Sequence, residues 1–184
     1  MTKRILLFIL ILVLSVYTQS FALVCDGDYF TIHCQEGVDP LDVAYKIKVG
    51  PNLYIYKDGD KQIFRGGSPG DALADNIDTL FEEVSDLLDM HLYSYHGDMK
   101  IFLTKKDLKK VFSELFGGEL KSESFYYHEK NTIYIAVESL RVGILAHEIA
   151  HAIINHYFVV LPPVKVQEVL SGYVEYSINK KSSE

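Results

Sequence analysis

The stretch Leu145-Ala146-His147-Glu148-Ile149-Ala150-His151-Ala152 constrains this chain more than any other. It sets His-Glu-x-x-His inside an apolar run, which predicts a helix buried on most sides. Residues four apart on a helix share a face. His147 and His151 can therefore place two imidazoles on one divalent ion, with Glu148 one step round. Neutral imidazoles are ordinary zinc ligands, and an adjacent carboxylate can take a proton from a water that the metal has acidified. A catalytic site of this kind has three protein ligands and one open position, so the motif demands a third ligand elsewhere.

The 184 residues fit one domain with accessory segments, and the 48% apolar content supports a substantial core. Residues 1–22 have the pattern of a targeting segment: a positive start at Lys3-Arg4, an almost unbroken apolar run from Ile5 to Val16, and a small-x-small site at Ser20-Phe21-Ala22. Cleavage is expected after Ala22, leaving residues 23–184 as a single exported domain, secreted, periplasmic or in the cell envelope. The alternative is an uncleaved N-terminal anchor, although Thr18-Gln19-Ser20 interrupt the span it would need. Removing residues 1–22 takes away two positive charges and moves the formal charge from −7 to −9. So acidic a domain argues against a nucleic-acid partner or an anionic membrane surface. Cys25 and Cys34 are the only cysteines, and an even pair in an exported chain predicts a disulfide.

Along the chain, residues 29–34 and, from their alternation, residues 43–49 are expected as strands. Residues 52–56 and 62–65 flank Lys57-Asp58-Gly59-Asp60 and predict a hairpin. Ser68, Pro69 and Asp71 open a helix that runs to about Met90. A strand at 99–103, a helix from Thr104 to Gly117-Gly118, and two strands at 125–128 and 131–137 follow. Ser139 is expected to cap the histidine-bearing helix. Pro162-Pro163 then break the chain before a last helix over 164–178.

Three known solutions for the third ligand can be tested on the residues. The metzincin pattern needs Gly at position 154 and His at position 157, where this chain has Ile154 and Tyr157. An aspzincin pattern needs a downstream Asp, and none follows His151. What remains is a glutamate from the following helix, either Glu168 or Glu175. Glu168 lies just after the proline break, where the chain has turned back toward the histidines, and is the expected ligand. Glu175 lies roughly 10 Å further along the axis and is expected to orient a histidine through its other ring nitrogen, or to be an exposed carboxylate.

His147-Glu148-Ile149-Ala150-His151, followed by Pro162-Pro163 and then Glu168-Val169-Leu170-Ser171-Gly172-Tyr173, resembles the small gluzincins of the peptidase MA-like group, minigluzincins included. The likeness covers roughly residues 71–178. Val169 stands where that group has Gly, and Ser171 where it has Ala. The resemblance implies a zincin-like α+β fold. A mixed, mostly antiparallel sheet would pack on the active-site helix and the following glutamate-bearing helix, with residues 23–70 forming N-terminal strands and a hairpin and 71–179 the peptidase core. It implies a zinc-dependent endopeptidase in which His147, His151 and Glu168 hold one Zn²⁺ and Glu148 is the general base. A second donor for the developing oxyanion would come from Tyr173, Tyr176, Tyr157 or His128. A peptide or protein substrate would add as an extended strand beside Asn131–Val137. The rival is a zinc-binding but inactive or latent peptidase-like accessory protein. An exopeptidase is disfavoured, because no Gly-x-Met-Glu-Asn segment is present.

Overall fold

The computed structural model describes residues 21–47, 55–58, 61–64 and 68–182. Most of the expected targeting segment lies outside these. Its last two residues, Phe21 and Ala22, open strand β1 (Phe21–Asp26), so the expected cleavage point falls inside a strand. The remaining strands and α-helices are β2 (Phe30–Gln35), α1 (Pro40–Lys46), β3 (Ile55–Asp58), β4 (Lys61–Phe64), α2 (Pro69–Leu88), β5 (Gly97–Phe102), α3 (Lys105–Phe116), β6 (Ser124–Tyr127), β7 (Thr132–Ala136), α4 (Val142–Tyr157) and α5 (Val164–Ser182).

The architecture is α+β, built on a five-stranded mixed sheet ordered β1-β2-β5-β7-β6 beside a β3–β4 hairpin. The two outer junctions of the large sheet are antiparallel and the two inner ones parallel. The expected antiparallel majority therefore fails within this sheet. The reason is connectivity: parallel neighbours need a crossover, and α2 and α3 lie in the crossovers from β2 to β5 and from β5 to β7.

Strand alternation sends Ile32, Met99, Ile101, Ile133 and Ile135 into a core shared with α2 and α4. Phe102, Tyr134 and Ala136 point the other way, onto Leu108 of α3. α4 is apolar nearly all round, and Leu145, Ala146, Ile149, Ala150, Ile153 and Ile154 are completely buried. Burying each large aliphatic side chain contributes about 1.5–3 kcal/mol. α2 starts as expected, with the reciprocal Ser68–Asp71 capping box and Pro69 in its first turn. Its Asp78 carboxylate accepts the backbone N–H groups of Asp28 (2.7 Å) and Tyr29 (3.1 Å), which pins the β1–β2 turn to the helix. Burial raises the pKa of Asp78, and these two hydrogen bonds oppose the rise.

Several local expectations change. The segment expected as a strand from Val43 is helix α1, capped by the Asp39 side chain with Pro40 in its first turn. Val43, Ala44 and Ile47, all buried, follow helical spacing. Ser139 does not cap α4. The helix begins after Arg141, and the Ser139 hydroxyl is buried without a hydrogen-bond partner. Cys25 and Cys34 are separate thiols rather than a disulfide. Cys25 sits opposite Ile32 and Cys34 opposite Leu23. The two cysteines are thus a diagonal pair, and such pairs are typically about 7–8 Å apart, beyond the usual disulfide span. Burial pushes the Cys34 thiol up to about 12 and raises that of Cys25, so both are neutral core groups.

Asp78→Ala leaves two turn amides without their acceptor. It should cost about 2 kcal/mol and lower Tm by about 4–8 °C, measured by calorimetry. An unchanged Tm would show that the carboxylate does not secure the turn.

Candidate metal centre

α4 and α5 pack antiparallel, and their facing residues fall in one register. Gly143 meets Asn179, His147 meets Glu175, His151 meets Glu168, and Asn155 meets Gln167. Gly143 permits the approach at the open end, since a Cβ there would lie 2.3 Å from the Asn179 side chain. At the other end the Asn155 amide reaches Gln167, which in turn donates to the Pro162 carbonyl at 2.8 Å. The proline break therefore does more than end α4. It starts α5 at the level that puts position 168 beside the histidines.

His147, His151 and Glu168 form a group that can hold a metal ion, with one ligand atom from each within 4.8 Å of the others. The two Nε2 atoms are 3.2 Å apart. Glu168 oxygens lie 3.6 Å from His147 Nε2 and 3.5 Å from His151 Nε2. Three donors around a tetrahedral cation with bonds of roughly 2.0–2.1 Å would be about 3.3–3.4 Å apart; the Glu168 carboxylate is near that spacing with Oε2 toward His147 and Oε1 toward His151, so the group is of a size to hold such an ion. Glu175 takes the place expected of an orienting carboxylate. Its Oε2 is 3.1 Å from His147 Nδ1, so it can hold the Nδ1–H and leave the Nε2 lone pair facing the centre. Burial lowers the pKa of His151, and the neighbouring His147 adds to this against the pull of Glu168. The imidazole thus stays neutral, and available as a ligand, further into acid.

Glu148 is buried beside this group. Ser124 Oγ donates to its Oε1 at 2.6 Å, and the backbone amide of Tyr126 also stabilises its charge. Burial nevertheless dominates and raises the Glu148 pKa. Ser124 falls just before the strand expected over 125–128. It is the first residue of β6, and nothing in its sequence neighbourhood announces a partner 24 residues away.

The four candidate oxyanion donors separate. His128 lines the cleft of about 450 Å³ in front of the histidines. Tyr157, Tyr173 and Tyr176 do not line it. Tyr173, five residues after Glu168, points well away from it, and both Tyr173 and Tyr176 are more than half exposed. The expected substrate strand also moves. β7 is flanked by β5 and β6 and its residues are all buried, so Asn131–Val137 offers no free edge. The edge beside α4 is β6, Ser124–Tyr127.

The sign of the Glu148 shift gives a test that needs no activity. A carboxyl whose folded pKa is raised contributes stability that is present below its unfolded value, near 4.5, and lost as pH rises through the folded value. Glu148→Gln removes that loss while keeping an acceptor for Ser124. The metal-free variant should melt higher than the parent at pH 7.5, with the gap closing by about pH 4. A lower melting point at pH 7.5 would contradict the assigned burial cost.

Glu168→Ala should lose bound metal, measured as metal per protein chain. Glu175→Ala should weaken metal binding by about 10–100-fold without abolishing it. Loss only in the Glu175 variant would reverse the two roles.

No protein-family model, curated protein or solved structure matches the chain, so the assignment rests on these residues and their geometry.

Proposed function

We propose that this domain is a zinc-dependent endopeptidase of the gluzincin kind. The observation that carries the reading is the His147–His151–Glu168 group, whose ligand atoms all lie within 4.8 Å of one another, next to a buried carboxylate at Glu148. The donor set of two imidazoles and one carboxylate is a catalytic zinc set, and it leaves a fourth position for a water or a substrate carbonyl. When bound, zinc supplies Lewis-acid polarisation and lowers the pKa of a water toward neutrality.

The chain's own residues do the rest. Glu148 accepts a proton from the attacking water and later delivers it to the leaving amine. Burial raises its pKa above the ordinary carboxylate value, which makes it a stronger base for taking that proton. Ser124 holds one carboxylate oxygen and so limits how the other is aimed. Glu175 fixes the ring of His147. His128, which lines the cleft where Tyr157, Tyr173 and Tyr176 do not, is the side-chain donor for oxyanion charge. A peptide would lie along the β6 edge, where main-chain hydrogen bonds bind a strand with little regard to its sequence. Gly97–Phe102 and Thr132–Ala136 are already paired on both sides.

A metal-holding but non-catalytic domain is the second reading. It is favoured by one observation: no tyrosine hydroxyl from α5 reaches the cleft. Digestion of an unstructured protein by the zinc-loaded chain separates the two. In the peptidase reading, Glu148→Gln abolishes cleavage, by at least about 10²-fold, while zinc content stays near one ion per chain. Undiminished cleavage by that variant would remove Glu148 from its role, and no cleavage by the zinc-loaded parent would favour the second reading.

A further inference from the structure

Helix α5 is apolar on two opposite sides. Ser171, Val174 and Ile178 are buried against the rest of the domain. Val166, Val169, Tyr173 and Tyr176 recur at intervals of three, four and three residues, which makes a single straight stripe on a helix. This stripe faces solvent, with exposures of 45%, 65%, 53% and 68%. Monomeric proteins seldom leave so regular an apolar row uncovered. Glu168 and Glu175 lie on the other side of the helix, toward the histidines, so the stripe carries no carboxylate.

We infer that this face of α5 is an isologous interface at which a second copy of the chain packs its own α5 in antiparallel orientation. The stripe is symmetric about the level of Ser171, with Val166 and Val169 on one side and Tyr173 and Tyr176 at matching distances on the other. A two-fold axis there sets Val166 against the partner's Tyr176, and Val169 against the partner's Tyr173, so each large ring meets a small side chain. A parallel pairing would set ring on ring and leave the valines facing each other.

Two further observations favour a second copy. Gly172 sits mid-helix beside the stripe, and a Cβ there would meet nothing within 4 Å. Among the described residues nothing requires a glycine at that position, although glycine in a helix interior is less stable than alanine. A helix approaching near the two-fold axis gives it a use. The chain also carries a formal charge of −7. Two like-charged copies can meet most easily through a face without carboxylates. A fully covered tyrosine buries on the order of 150–250 Å². Two half-exposed rings, two valines and their flanks therefore offer on the order of 500 Å² per copy, which doubled reaches the roughly 1,000 Å² of a specific interface. The commonest soluble assembly is such a two-fold dimer. The catalytic cleft opens on the other side of α5, so the pairing leaves it free, and the inference does not rest on the peptidase reading.

The test is sedimentation equilibrium of the full chain at micromolar concentration, with site-directed cross-linking. The parent should sediment as a dimer of the 20.9 kDa chain. Tyr173→Lys should weaken association by at least about 100-fold, whereas Tyr157→Ala, off the stripe, should leave it unchanged. In case Tyr173→Lys misfolds, Val169→Cys and Tyr173→Cys proteins are mixed under mild oxidation. A mixed disulfide between the two variants, in excess of either self-linked product, is expected. A monomeric parent overturns the inference. So does a dimer that survives Tyr173→Lys, preferential self-linking of Val169→Cys, or a monomer that sediments with neutral lipid vesicles through this face.

Discussion

The site depends on the antiparallel packing of α4 against α5. Every residue that bears on the metal group is held by that contact or faces it. One helix supplies the imidazoles and Glu148, the other supplies Glu168 and Glu175, and the proline break between them sets their relative level. The pairing is stabilised from both ends: a close approach at Gly143 and an amide contact from Asn155 to Gln167. Between these ends the polar residues face one another while α4 turns its remaining sides to the core. A rigid apolar helix thus carries two imidazoles and a buried carboxylate, and α5 brings Glu168 and Glu175 to the imidazoles.

Glu148 shows how a buried carboxylate is kept usable. Its burial favours the protonated form, and the Ser124 hydroxyl and the Tyr126 amide work against that preference. Both partners come from β6, the strand whose outer edge is unpaired among the described residues. The proposed base and the proposed substrate edge are therefore one unit. Anything that moves β6 moves the hydrogen bonds that tune the carboxylate.

Much of the secondary structure was legible because it rests on local signals. Ser68, Pro69 and Asp71 mark the start of α2 through a cap that involves only residues three apart. Gly117 stops α3 in a left-handed conformation. The misreadings have physical reasons too. Val43 and Tyr45 alternate like a strand, but the Asp39–Pro40 start and the burial of Val43, Ala44 and Ile47 make that segment a helix. The cysteine pair invited a disulfide because residue counting ignores strand register, and the register places the two diagonally. Asn131–Val137 offers no edge to a substrate, which its own residues do not show, because alternation reveals a strand but not its neighbours. Strand order is fixed by crossovers far away in sequence.

The sequence by itself determined the pair of imidazoles and the adjacent carboxylate, since a helix places residues four apart on one face whatever surrounds it. It also narrowed the third ligand to two glutamates. Tertiary structure groups one of them, Glu168, with the two histidines at a spacing that could hold a metal ion. Glu168 lies beside both Nε2 atoms and Glu175 behind one ring, because antiparallel packing brings residues together by their distance from the connection rather than by their type. Tertiary structure alone also brought Ser124 to Glu148, turned Tyr173 outward and gave the edge to β6. Each of these depends on contacts between segments that carry no mark of one another in their own residues.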